Sequence, residues 1–179
     1  MKAGLLGVLA LLFLGVPGVV AAESAIERFY GDYTGHTISE KDRGLGERDI
    51  AVSIKPIKKG FEVGWTTTIP RSDGTVSRKS YKIKFQKSKR EHIYAAGMRP
   101  NYFGGWIPLD PTKSEPYIWA RIKDQTLTVY AMHVIDDGSY EMQIYERTLT
   151  AEGMRLDFRR HRPGGDVKRI TGVLKRVRK

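Results

Sequence analysis

The stretch "MRLDFRRHRPGGDVKRI", Met154 to Ile170, alternates apolar and polar residues up to Pro163-Gly164-Gly165 and then resumes, the pattern of a β-hairpin. It also carries six Lys or Arg. With Met154, Leu156 and Phe158 turned inward, Arg155, Asp157, Arg159 and His161 turn outward. Arg160 and Arg162 come at the strand's end, and Lys168 and Arg169 return beside them. The reading is a one-sided cationic ribbon on the outside of a sheet, where like charges facing one another across strands repel; the alternative is a solvated face with Glu141 and Glu146 on an adjacent strand as internal partners.

The same period of two recurs upstream in Ile50/Val52/Ile54, Phe61/Val63/Trp65, Tyr81/Ile83/Phe85, Ile118/Ala120/Ile122, Leu127/Val129/Ala131 and Tyr140/Met142/Ile144. Each set is expected to be the buried face of a strand. Turn chemistry separates them at Lys59-Gly60, Asp73-Gly74, Asp124-Gln125, Asp137-Gly138 and Glu152-Gly153. "DYTGHTI", "EHIYAA" and "VKRITGVLKRV" bring the expectation to eight to ten strands. Short connections pair neighbours antiparallel, and a meander of this length hides its edges best by closing. The predicted fold is therefore all-β, an antiparallel up-and-down barrel, with a two-sheet sandwich as the alternative. Ser24 and Glu27 have capping-box spacing in "ESAIERF", which predicts a short N-terminal helix over about Ala25 to Tyr30.

The chain opens with one cation, Lys2, then an uncharged run from Ala3 to Ala22 ending in small residues. That is the layout of a secretory signal, residues 1–22, cleaved after Ala22; an uncleaved anchor is the alternative. Residues 23–179 form one barrel domain, and the expected location is exported, periplasmic or extracellular. The chain has no Cys, so packing rather than disulfides holds the fold. Of 31 Lys and Arg against 20 Asp and Glu, ten cations and only Asp157 and Asp166 fall after Gly153, so the basicity is local.

From Gly97 to Pro116 the alternation stops, and the segment holds four of the eight prolines. Tyr102, Phe103 and Trp106 flank Gly104-Gly105 there. They are read either as a lid over the barrel mouth or as packing against its end.

The short helix leading into "FYGDYTG", followed by a hairpin meander, resembles the lipocalin-like, or calycin, barrel family. Gly31-Asp32-Tyr33 stands where that family has Gly-x-Trp, with Tyr for Trp, and Arg169 or Arg176 stands where a last-strand Arg closes the base. The family's second signature, Thr-Asp-Tyr, is absent. The resemblance implies a barrel with an apolar cavity that carries a small molecule. The chain also looks like small secreted bacterial proteins of no assigned activity.

On the residues alone, Tyr33, Trp65, Trp119 and Tyr145, with the loop aromatics, are the candidate ligand-binding set, because such pockets are apolar with a few orienting polar groups. A filled interior is the competing expectation. Small residues Gly64, Ala95, Ala120, Ala131 and Gly172 fit either. Arg155, Arg159, Arg160, His161, Arg162, Lys168 and Arg169 are the candidate anion-binding set. No catalytic group, cofactor or metal site is expected: His36, His92, His133 and His161 lie in separate elements, and His133 with Asp136 and Asp137 reads first as a turn. The expectation is a non-catalytic binding protein for a small apolar or amphiphilic molecule. The alternative is an envelope-association module docking on anionic lipid or polysaccharide with peripheral membrane contact. Nucleic acid is not an expected partner, and the oligomeric state is not readable.

Overall fold

In a computed structural model of the chain, residues 25–39, 48–71, 73–96, 98–100 and 106–178 are described. Residues 1–24, with the expected leader and its cleavage point, lie outside them, as do Tyr102 and Phe103.

The Met154–Ile170 hairpin forms as strands β11 (Gly153–His161) and β12 (Lys168–Arg176), paired antiparallel from Gly153 opposite Lys175 to Arg160 opposite Lys168. Upstream stand β1 (Gly31–Ser39), β2 (Arg48–Ile57), β3 (Gly60–Pro70), β4 (Val76–Lys87) and β5 (Ile93–Ala96). After them come β6 (Met98–Pro100), β7 (Trp106–Pro108), β8 (Tyr117–Lys123), β9 (Thr126–Val134) and β10 (Tyr140–Leu149). All but β6 and β7 form one closed ten-stranded antiparallel barrel, in which β12 returns to pair with β1, Tyr33 facing Arg176 and Ser39 facing Ile170. Closure excludes the sandwich, although Val76 to Lys84 of β4 pair with β3 alone.

One end of the interior is filled. Phe29, Tyr33, Phe61, Val63, Phe85, Leu127, Met154 and Leu174 are buried to 1% exposure or less. Phe61 stacks on Phe85 with ring centroids 5.0 Å apart and meets Tyr94 edge-on at the same distance. Each such side chain contributes about 1.5–3 kcal/mol on leaving water, so this end anchors the barrel.

The expected N-terminal helix is corrected to one 3-10 turn, Glu27–Phe29, with no side-chain cap at Ile26. The chain must enter β1 at Gly31, and one turn suffices to drop Phe29 into the barrel base, where Tyr33 Oη donates to the Phe29 carbonyl at 2.9 Å. Gly31 has φ +150°, and a Cβ there would stand 3.1 Å from Nη1 of Arg176, so glycine lets the two meet.

The Gly97–Pro116 segment has more structure than the prolines suggest. β6 and β7 pair as a separate two-stranded ribbon, and Asp110 caps a 3-10 turn, Pro111–Lys113, by accepting from the Thr112 amide at 3.0 Å. Trp106 lies on β7.

Candidate ligand-binding site

Register around the barrel decides which side chains meet inside. Leu127 on β9 faces Arg147 on β10, which faces Leu156 on β11; one step toward the open end, Val129, Tyr145 and Phe158 line up in the same way. The inward face of β10 is therefore Glu141, Gln143, Tyr145, Arg147 and Leu149. The expected buried set Tyr140/Met142/Ile144 is on the outside, with Tyr140 51% exposed. Both faces of "YEMQIYERTL" contain apolar residues, so periodicity allows either, and closure against β9 and β11 selects the more polar one.

That face is a ladder of polar groups leading down into the barrel. Arg162 donates to Glu141 at 2.5 Å, Gln143 Nε2 donates to the other Glu141 oxygen, and Tyr145 Oη donates to Gln143 Oε1 at 2.7 Å. Burial pushes the Glu141 carboxyl up. The hydrogen bonds from Gln143 and Arg162, with the charges of Arg162 and Arg160, outweigh that and hold it below the usual carboxylate range. Burial also pushes the Tyr145 hydroxyl up to about 12.

Below Tyr145 lies Arg147, only 1% exposed. Its guanidinium carbon is 5.5 Å from the Trp65 ring centroid and 5.7 Å from that of Tyr145. Nε and Nη1 have no hydrogen-bond acceptor, and no ion pair reaches Arg147 among the described residues. Burial brings its pKa down to about 10, so it is still cationic at neutral pH. A donor left unpaired in the interior costs about 1–3 kcal/mol, and an uncompensated buried charge several more.

Arg147 borders a pocket of about 150 Å³. Its walls are apolar and aromatic, with Trp65, Tyr145, Phe158 and Ile170, and polar at Thr37, Thr67 and Arg48; no acidic side chain lines it among the described residues. That is room for a group about the size of one benzene ring. Larger hollows on the barrel exterior, such as that at Thr34, His36, Asp49 and Ala51, are bordered by exposed side chains and do not enclose a guest.

Of the expected ligand-binding aromatics, Trp65 and Tyr145 meet at this pocket, ring centroids 5.4 Å apart. Tyr33 is buried in the filled base. Trp119 is corrected: it alternates with the inward Ile118 and Ala120 and stacks on Tyr130 on the outer face, centroids 4.9 Å apart. Of the small residues, Ala120 and Ala131 are inward and buried. Arg147, Thr37, Thr67, Phe158 and Ile170 were not singled out as pocket residues. The available signal was Arg147 standing two residues after Tyr145 on one strand face.

Of the two readings of the cationic hairpin, the one with internal carboxylate partners fits the structure. Arg159 bonds Glu146 and lies 3.6 Å from Asp157, and Arg169 bonds Asp157 at 2.5 Å. Arg160 and Arg162 turn to the buried Glu141 at the barrel mouth, Arg160 lying 3.8 Å from it. Four of the seven candidate anion-binding residues thus have carboxylate partners from the same or the adjoining strand, while Arg155 stays exposed on the outer face. Asp137 accepts from the Ser139 amide at 2.8 Å, so the turn reading of that stretch holds. Among the described residues no group of three His, Cys, Asp or Glu side chains could hold a metal ion, and no helix is long and apolar enough to cross a membrane.

No protein-family model and no curated protein matches the chain. Among solved structures, an S-type phycobiliprotein lyase from Guillardia theta is similar, with TM-score 0.38 and 9% identity, over 86% of this chain and 91% of that one. That structure belongs to a lyase, against the expectation of a non-catalytic chain. A likeness at this level assigns neither reaction nor substrate to this protein.

Proposed function

We propose that this protein is a lipocalin-like barrel that binds a small apolar or amphiphilic molecule inside its open half. The observation that supports this most is the division of the interior: aromatic and aliphatic packing fills the base, while above it the contacting rings of Trp65, Tyr145 and Phe158 form one wall of a pocket of about 150 Å³ that Ile170 also borders. A pocket with apolar walls and a few fixed polar groups is the usual form of a small-molecule site. The family part of the reading is supported by Gly31, Tyr33 and Arg176 meeting at the base, where Arg176 lies across the Tyr33 ring.

The test is calorimetric titration with octanol of the wild type and of Ile170→Trp, a substitution that fills the pocket from β12. Saturable binding by the wild type that is lost in the folded variant is the expected result. Equal affinity in both proteins would place the site elsewhere.

A further inference from the structure

β4 is paired on one side only along most of its length. Phe85, Gln86 and Lys87 pair with β5, whereas Val76 to Lys84 pair with β3 alone. The segment after β5, Met98–Pro100, pairs with β7 in a separate ribbon rather than continuing along that edge. Alternate residues from Val76 to Lys84 therefore turn backbone N–H and C=O groups to an open side, where among the described residues no strand meets them. Across the seam, Tyr117 and Ile118 of β8 pair with β9 alone. A hollow of about 810 Å³ lies here, bordered by half-buried Ile83, Leu109 and Ile118 and by exposed Lys58, Lys59, Lys82 and Lys84. Among the described residues Glu62 is the one acid that borders it.

We propose that the free edge of β4 accepts an extended acidic segment of a partner protein as an added strand, its acidic side chains on the outer face and its apolar ones over Ile83, Leu109 and Ile118. Strand addition draws affinity from main-chain hydrogen bonds and specificity from alternate side chains. Along β4, Arg78, Lys82 and Lys84 share the outer face, while Tyr81 and Ile83 turn inward, Tyr81 stacking on Trp65 with centroids 5.2 Å apart. An added strand thus meets cations on one side and apolar surface on the other. Charge also decides against a second copy of the chain as the occupant. β4 paired with its own copy sets these cations against one another, and lysines on an edge strand are a common guard against such pairing. The charges that keep copies apart select an acidic partner.

The probe is an octapeptide of alternating Glu and Val, titrated calorimetrically at neutral pH against the full chain. The wild type should bind it at least tenfold more tightly than an octapeptide of alternating Lys and Val. It should also bind it at least tenfold more tightly than the fully N-methylated Glu-Val peptide, which keeps the charge and loses every backbone donor. Lys82→Glu/Lys84→Glu, two exposed positions, should weaken binding at least tenfold. In the wild type the peptide should slow amide hydrogen exchange within Val76 to Lys84, an arm that depends on no variant. Equal binding of the N-methylated peptide, or protection absent from those amides, would overturn strand addition. Failure of the wild type to bind the Glu-Val peptide would overturn the proposal. So would dimerisation that protects the same amides, which gives the edge to a second copy, or lysine-dependent binding to phosphatidylglycerol vesicles alone, which gives the cations to a lipid surface.

Discussion

The guanidinium of Arg176 lies over the ring of Tyr33, 4.9 Å from its centroid, and its Nη1 and Nη2 donate to the carbonyls of Tyr30 and Arg28 at 2.7 and 2.9 Å. One side chain from the last strand thus ties the first strand to the turn that plugs the base. Arg176→Ala should destabilise the protein by about 2 kcal/mol, from the lost cation–π contact and two charge-assisted hydrogen bonds at an exposed site. Arg176→Lys should recover little, because a single ammonium cannot reproduce the planar fork. Urea unfolding with an unchanged slope and a lowered midpoint is the check.

Arg147 should behave in the opposite way. Replacing an unpaired buried charge by an apolar side chain of similar length removes desolvated donors without opening a large void. Arg147→Met should therefore be neutral or more stable by up to about 3 kcal/mol. Arg147→Ala, which leaves a hole beside Leu127 and Leu156, should be less stable than Arg147→Met. Thermal melts of the two variants against the wild type decide it. A large loss in Arg147→Met would mean that the guanidinium is satisfied in the ligand-free protein.

The carboxyl of Glu141 is held below its ordinary value, so its contribution to stability is present above the unfolded pKa and is lost as pH falls through the folded one. Stability should therefore decline below about pH 4.5, the ordinary Glu value. In Glu141→Gln that part of the decline should vanish, at the expense of a less stable protein at pH 7, because Arg160 and Arg162 then face each other at the mouth without a carboxylate. Denaturant midpoints between pH 3 and 7 on both proteins, at constant salt, measure the difference. Parallel profiles would show that the acid limb arises elsewhere.

Trp65 and Trp119 make contrasting reporters. Trp65 borders the pocket and Trp119 stacks on Tyr130 outside it. Trp65→Phe should abolish the change in emission on octanol binding, and Trp119→Phe should leave it intact. The reverse result would place the guest on the outer face of β8 and β9.

The all-β class, the single meander and most strand positions are legible in the sequence, because period-two alternation and turn residues are local signals that survive without tertiary context. Phe61/Val63/Trp65 and Met154/Leu156/Phe158 point inward as their alternation predicts. The N-terminal helix is shorter than its capping-box spacing predicts, since that spacing does not say how many residues remain before a strand begins.

What alternation cannot supply is the choice between two plausible faces of one strand. β10 presents Tyr140, Met142 and Ile144 on one side and Glu141, Gln143, Tyr145 and Arg147 on the other, and hydrophobicity alone favours burying the first set. The second is inside because Arg147 is held between Leu127 and Leu156 by pairings to strands on either side. The charge of the last hairpin and its possible partners Glu141 and Glu146 are likewise legible in the sequence, whereas which cation meets which carboxylate depends on cross-strand distances of a few ångströms. Composition and periodicity determined that this chain is a β meander with a basic end. Closure of the barrel, which brings together residues remote in the chain, decided that a lone guanidinium would be buried beside a pocket.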